Sequence, residues 1–175
     1  MTSCPSGERT GGPRRGSPTV SLAVVTDETL RLSADAHTAM VAHALAGVPH
    51  EACGLFAGPV GEQGGGPVVD RFFPMRNTAE SSTLYLLDGQ EMLDVERSAD
   101  EAGAVITGVM HSHTHTPAYP SPTDVADAAR FDPFGAWVFV IVSLEHADPV
   151  LRAFRILDGG ITELTVAVGD GDPRG

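Results

Sequence analysis

The sequence has no lysine: its 11 basic residues are all arginine, set against 23 aspartates and glutamates, for a formal charge of −12. A surface this acidic repels phosphate backbones, so nucleic-acid binding is disfavoured unless the few arginines cluster. The missing lysine carries no functional reading of its own. Long apolar runs are absent as well, and none approaches the roughly 20 residues that a membrane-spanning helix needs. Cysteine is scarce. Cys4 lies in a polar leader and Cys53 in an apolar, strand-like run, so no disulfide is expected between them, and Cys53 reads as a small core residue rather than a catalytic thiol. Met1 to Thr19 has basic residues but no apolar stretch behind them, which argues against a secretory signal and makes the cytoplasm the expected location.

What is present is enough for one domain with a real core: 175 residues, 42% of them apolar. Residues 1–19 are rich in Gly, Pro, Ser, Thr and Arg and read as a disordered leader. The domain is expected over residues 20–170, with a flexible tail at 171–175. Short strands are predicted over Ser21–Val25 and Thr29–Leu32. Ser33 then caps a helix over Ala34–Ala46, with an apolar face of Ala36, Met40, Val41, Ala44 and Leu45. Ala52–Ala57 reads as a buried strand stopped by Gly58-Pro59, residues 61–67 as a flexible glycine loop, and Val68–Met75 and Thr83–Leu87 as further strands. A helix over Gly89–Ala102 places Met92, Leu93, Val95 and Ala99 on one face. Ala104–Met110 is β-branched and apolar, the composition of a central strand.

After an irregular segment over His111–Pro120, Ser121-Pro122 supplies an N-cap and a proline at the first helical position for a helix reaching about Arg130. Ala136–Leu144, Val150–Leu157 and Ile161–Val168 read as strands, the last two joined by the hairpin signal Asp158-Gly159-Gly160. Helices interleaved with strands in this way predict an α/β layered domain built on a mixed sheet.

The stretch that carries chemistry starts where the apolar strand at 104–110 ends. In extended chain the side chains at i and i+2 point the same way, so His111 and His113 present two imidazoles on one side. Asp124 falls in the first turn of the following helix, and the seven residues between His113 and Ser121 are enough to fold that helix start back over the histidines. Two imidazoles and a carboxylate with an open fourth position is the composition of a catalytic zinc site. Each piece has a plainer explanation: paired histidines often mark a polar loop entry, and an aspartate near a helix start suits the helix dipole. Their combination at this spacing is what points to a metal.

The pattern His111-x-His113, seven residues, Ser121, two residues and Asp124, with Glu51 upstream, resembles the JAMM (MPN-plus) metallopeptidase motif. The segment Glu51-Ala52-Cys53-Gly54-Leu55-Phe56-Ala57-Gly58 is similar to the family's run around its catalytic glutamate, and the likeness spans residues about 30 to 165. It implies a single JAMM/MPN domain of α/β (α+β) class, a mixed sheet flanked by helices in a cytidine-deaminase-like layered architecture. It also implies one Zn2+ held by His111, His113 and Asp124, with Glu51 as general base and Ser121 as a hydrogen-bond donor to the oxyanion. Pro74-Met75-Arg76-Asn77-Thr78 and the run Thr114–Asp124 look like the bacterial members that trim the C-terminus of ubiquitin-like sulfur carrier proteins. The implied partner is therefore a carrier with a Gly-Gly tail, and the implied product is cysteine or a short extension.

Thr114 departs from the proline that many members carry after the second histidine, which shifts the substrate more than the activity. His115 is an extra histidine, read as a surface loop residue. The short spacing of 60 positions from Glu51 to His111 leaves no room for large insertions that recognise ubiquitin chains. Rival readings are a non-catalytic MPN scaffold, which usually lacks one or more of these residues, and another metalloenzyme built on two histidines and an acid, such as a non-haem iron oxygenase. A zinc deaminase would need a Pro-Cys-x-x-Cys segment that is absent.

Overall fold

Apolar composition on both faces of several strands already demands helices above and below the sheet, and the computed structural model shows that arrangement. It describes residues 24–60 and 66–169, with side chains from residue 28 onward in the first strand. The leader at 1–19, residues 61–65 of the glycine loop and the tail at 171–175 lie outside the described residues, as does most of the strand expected over Ser21–Val25.

Among the described residues, eight strands form one mixed sheet, with three helices against it. The elements are β1 (Val24–Ser33), α1 (Ala34–Gly47), β2 (Cys53–Pro59), β3 (Val68–Val69), β4 (Arg71–Met75), α2 (Gly89–Glu101), β5 (Ala104–His113), α3 (Pro122–Phe131), β6 (Val138–Ser143), β7 (Val150–Leu157) and β8 (Gly160–Gly169). The strand order is β3-β1-β8-β7-β6-β5-β2-β4. β1 runs parallel to β3 and β8, and β5 parallel to β6; the remaining pairs are antiparallel.

Alternation along the strands feeds two cores. Phe56, Met110, Val138, Val140 and Val142 pack with Ala36, Met40 and Ala44 of α1. Leu55, Val109 and Phe139 pack on the other side with Ala128 of α3, joined by Met92 and Val95 of α2. β6 is buried at every position, which is why its sequence is apolar without a break.

The strands at the two ends of that order, β3 and β4, are separated by a single residue, Asp70, whose N–H donates to the carbonyl of Ala57 at 3.1 Å. The sheet therefore curls until β3 reaches back to β2. Gly58 makes this approach possible: a Cβ there would lie 1.8 Å from the carbonyl oxygen of Val68.

Several expectations need correction. Val24–Val25, the described end of the strand expected over Ser21–Val25, and Thr29–Leu32 belong to one strand, interrupted by an irregularity where the pairing jumps from Val25↔Glu163 to Thr29↔Thr165. Val68–Met75 is split at Asp70, because its two halves pair with different strands. Thr83–Leu87 is not a strand. Its inward backbone groups bond instead to the Asn77 side chain and the backbone of Thr78. β5 does not end at Met110 but continues through His113, which pairs with Ser143 of β6. Leu93, expected on the buried face of α2, is 54% exposed, and Leu45 of α1 is exposed as well.

Candidate metal centre

β5 delivers the histidines. From Val109 onward the parity of the strand puts His111 and His113 on the side covered by α2 and α3, while Ser112 faces the opposite way. Both rings are buried. α3 delivers Asp124 by means of its N-terminal cap. The hydroxyl oxygen of Ser121 accepts the N–H of Asp124 at 3.2 Å, and the carboxylate of Asp124 accepts the N–H of Ser121 at 2.6 Å. This reciprocal capping box fixes the rotamer of Asp124 and leaves the carboxylate aimed at the strand.

The three residues expected to bind metal do converge. His111 Nε2 lies 3.2 Å from His113 Nε2 and 3.2 Å from Oδ1 of Asp124, and His113 Nε2 lies 3.4 Å from Oδ2. His113 Nδ1 is 2.9 Å from the carbonyl of Pro117. A carbonyl can only accept, so Nδ1 carries the proton, and in the neutral ring Nε2 is a bare lone pair facing another nitrogen and a carboxylate. Electron pairs gathered this way repel unless a cation sits among them. Four-coordinate zinc with ligand distances of about 2.0–2.1 Å places neighbouring donor atoms about 3.3–3.4 Å apart, close to the spacing found. The residues fit a metal ion.

In the doubly protonated ring of His113, Nε2 instead donates to Asp124, and the electrostatics show how strongly the site favours positive charge there. Burial works to raise the Asp124 carboxyl, but hydrogen bonds from His111 and His113 and from Ser121 outweigh it and hold the group well below the usual carboxylate range. Burial works to lower His113, yet the bonds to Asp124 and to the Pro117 carbonyl, with the charges of Asp124 and Glu51, hold it above its ordinary value.

Glu51 is 6% exposed, so it is not a solvated loop acid. Burial pushes its carboxyl up to about 7; His113 pulls it down and Asp124 adds to the rise. Its neighbour Ala52 is tied to the histidine strand, with N–H to Ser112 Oγ at 2.8 Å and carbonyl to Ser112 N–H at 2.9 Å. Ser121 caps α3 with an oxygen lone pair, which leaves its O–H proton available as a donor. His115 is exposed and outside the cluster. Cys53 is fully buried, and burial first, then Glu91 and Glu51, push its thiol up to about 12, which suits an inert core residue.

Sequence reasoning missed the residues that support these groups. Tyr85 stacks on His111 with ring centroids 4.5 Å apart and an interplanar angle of 19°. Tyr85 also lines an apolar pocket with Met92, Phe131 and Trp137. Ser143 Oγ donates to the carbonyl of Thr116 at 2.7 Å, and Arg152 to that of Ala118 at 3.3 Å, fixing the loop whose Pro117 carbonyl orients His113. No periodic signal marks any of them, since each acts across the fold.

A mixed α/β sheet brings two imidazoles and a carboxylate to one point, a group that could hold a metal ion. The model of the prokaryotic homologs of the JAB domain matches residues 33–157, and the chain belongs to this family. It is 43% identical over 139 residues to the CysO-cysteine peptidases of Mycobacterium tuberculosis and Mycobacterium bovis, covering 79% of this chain and 90% of theirs. It is 34% identical over 126 residues to a probable TtuB-protein conjugate cleaving protease of Thermus thermophilus, covering 71% of this chain and 74% of that one. Among solved structures, a protein from Desulfitobacterium hafniense superposes with a TM-score of 0.72 at 32% identity, covering 81% of this chain and 94% of the other. The chain is an enzyme, a hydrolase acting on peptide bonds. No helix among the described residues is long and apolar enough to cross a membrane.

Proposed function

We propose that this chain is a zinc-dependent peptidase that hydrolyses the bond after the C-terminal Gly-Gly of a ubiquitin-like sulfur carrier protein, releasing cysteine or a short extension. The observation that carries the reading is the convergence of His111, His113 and Asp124 on one point, with donor spacing that suits zinc. The names of the relatives support the substrate class.

Zinc held there supplies a Lewis acid that acidifies water and polarises a carbonyl. The residues of the chain do the rest. Glu51, buried and tied through Ala52 to the histidine strand, accepts a proton from the attacking water and returns it to the leaving amine. Ser121 donates its O–H to the developing oxyanion while its lone pair keeps the cap on α3. Segments 76–86 and 114–120 are the walls proposed for an extended tail laid in by β-augmentation. A cytoplasmic location belongs to the same proposal.

The test is cleavage of a ubiquitin-like carrier bearing a single cysteine after Gly-Gly. The wild-type chain is expected to release cysteine, a chelator to stop it, and zinc to restore it. Glu51→Gln should keep the metal and lose turnover. Cleavage that survives complete metal removal, or native turnover by Glu51→Gln, contradicts the reading.

A further inference from the structure

Asn77 belongs to neither the metal set nor the proton-transfer pair, yet it is 8% exposed and meets backbone on every side. Nδ2 donates to the carbonyls of Glu51 and Leu84, each at 2.9 Å, with that of Ser81 at 3.4 Å. Oδ1 accepts the N–H groups of Ala79 and Leu86, each at 3.0 Å. These bonds use an amide's whole inventory of two donors and two lone pairs. A fully satisfied buried amide is a rigid anchor, because any movement leaves a backbone group unpaired out of water.

Two parts of the site lean on this anchor. The first is Glu51. Its N–H donates to the carbonyl of Ser81 at 2.8 Å and its carbonyl accepts from Asn77, so both backbone groups are held by segment 77–86. Ala52 is held by Ser112 from the other side. The second is Tyr85, which stacks on His111 and lies within a segment that has no strand ladder to shape it. Besides Asn77, that segment is closed by the N–H and hydroxyl of Thr78, both donating to the carbonyl of Leu86 at 2.9 Å.

We propose that Asn77 is a positioning residue for the peptidase reaction: by gripping the backbone of Glu51 and the strap that carries Tyr85, it holds the Glu51 carboxylate where the proton must be taken. This rests on the peptidase reading above. A misplacement of about 1 Å in a reacting group can cost on the order of 100-fold in rate, and the loss of Asn77 acts at that scale. The metal ligands ride on β5 and α3, which Asn77 does not touch, so the metal stays.

The experiment is a double-mutant cycle on the full chain loaded with zinc, using a carrier with one cysteine after its Gly-Gly. Asn77→Ala is expected to lower kcat about 10- to 100-fold with KM changed by less than about 3-fold. Asn77→Asp keeps both acceptors and loses both donors, and should lower kcat to a similar extent. Placed on Glu51→Gln, Asn77→Ala should cost less than about 2-fold, since the group it serves is already gone. Zinc affinity, measured by titrating the metal-free protein, should stay within about 3-fold of wild type. The amides of Ala79 and Leu86 should exchange hydrogen faster.

Full kcat in either Asn77 variant overturns the proposal, as do losses that multiply in the Glu51→Gln background. Loss of zinc or of cooperative unfolding in both variants also overturns it, because Asn77 then serves the fold. Native turnover by Glu51→Gln is a separate failure, that of the base assignment itself.

Discussion

The burial that raises the Glu51 carboxyl, the group proposed as general base, carries a cost in stability. Its carboxyl rises from 4.5 to about 7, so the folded chain binds that proton more tightly than the unfolded one. The sign follows: the contribution to stability is fully present below pH 4.5 and is lost as pH climbs through about 7. At 1.36 kcal/mol for each pH unit, the penalty above that range is on the order of 3 kcal/mol. Metal-free Glu51→Gln is therefore expected to be more stable than metal-free wild type at pH 8, with the difference shrinking toward pH 4, as read by urea unfolding. An equal difference at both pH values would contradict the burial of a proton-binding Glu51. At this scale the sequence was uneven. His111 and His113 were legible because extended chain forces i and i+2 onto one side, and Asp124 because a helix start lay within reach. Glu51 was legible only through resemblance. Tyr85, Asn77, Ser112 and Ser143 were not legible at all, since each acts on a residue far away in sequence or through backbone.

The element that decides the site is α3, because one capping box both starts the helix and aims Asp124, the proposed metal ligand, at the histidines. Ser121→Ala removes the oxygen that accepts the Asp124 N–H and is expected to cost about 1 kcal/mol in stability by thermal unfolding. If Ser121 also donates to the oxyanion, kcat falls on the order of 10² to 10³, and Ser121→Thr restores both properties. A stability loss with no change in kcat would make Ser121 a cap alone. Helix starts were read closely from Ser33 and Ser121, whose side chains accept N–H groups of the first turn, whereas Asp88, which caps α2 in the same way, carried no such reading. Thr83–Leu87 misled because its Leu- and Tyr-rich composition suits a strand, while strand formation needs a neighbour with a free edge and the partners here are Thr78 and the Asn77 side chain. The split at Asp70 was hidden for a related reason: composition does not say which of two strands a residue will pair with.

For the whole molecule, closure of the sheet depends on the bare Cα of Gly58. Gly58→Ala forces a Cβ against the Val68 carbonyl, and backbone must shift to admit it, at an expected cost on the order of 2–4 kcal/mol by urea unfolding. The curl is also braced by Arg155 of β7, which forms a two-pronged pair with Glu28 of β1 at 2.6 and 2.9 Å. That hydrogen-bonded pairing lowers the Glu28 carboxyl below 4.5. Its contribution is present above pH 4.5 and lost as pH falls through the lowered value. Glu28→Gln should therefore destabilise the chain near neutral pH and hardly at all in strong acid. The mixed α/β class followed from interleaved helical and strand patterns. The strand order did not, since β1 pairs with β8 from the far end of the chain and no local pattern encodes that contact. All of this architecture serves one claim, that β5 and the start of α3 grip a single cation. Metal content of the chain purified from zinc-supplemented growth tests it most directly. About one zinc per chain is expected in the wild type, and close to none in His113→Ala and Asp124→Ala variants that remain folded. A wild-type chain without metal after zinc reconstitution, or full zinc in both variants, would contradict it.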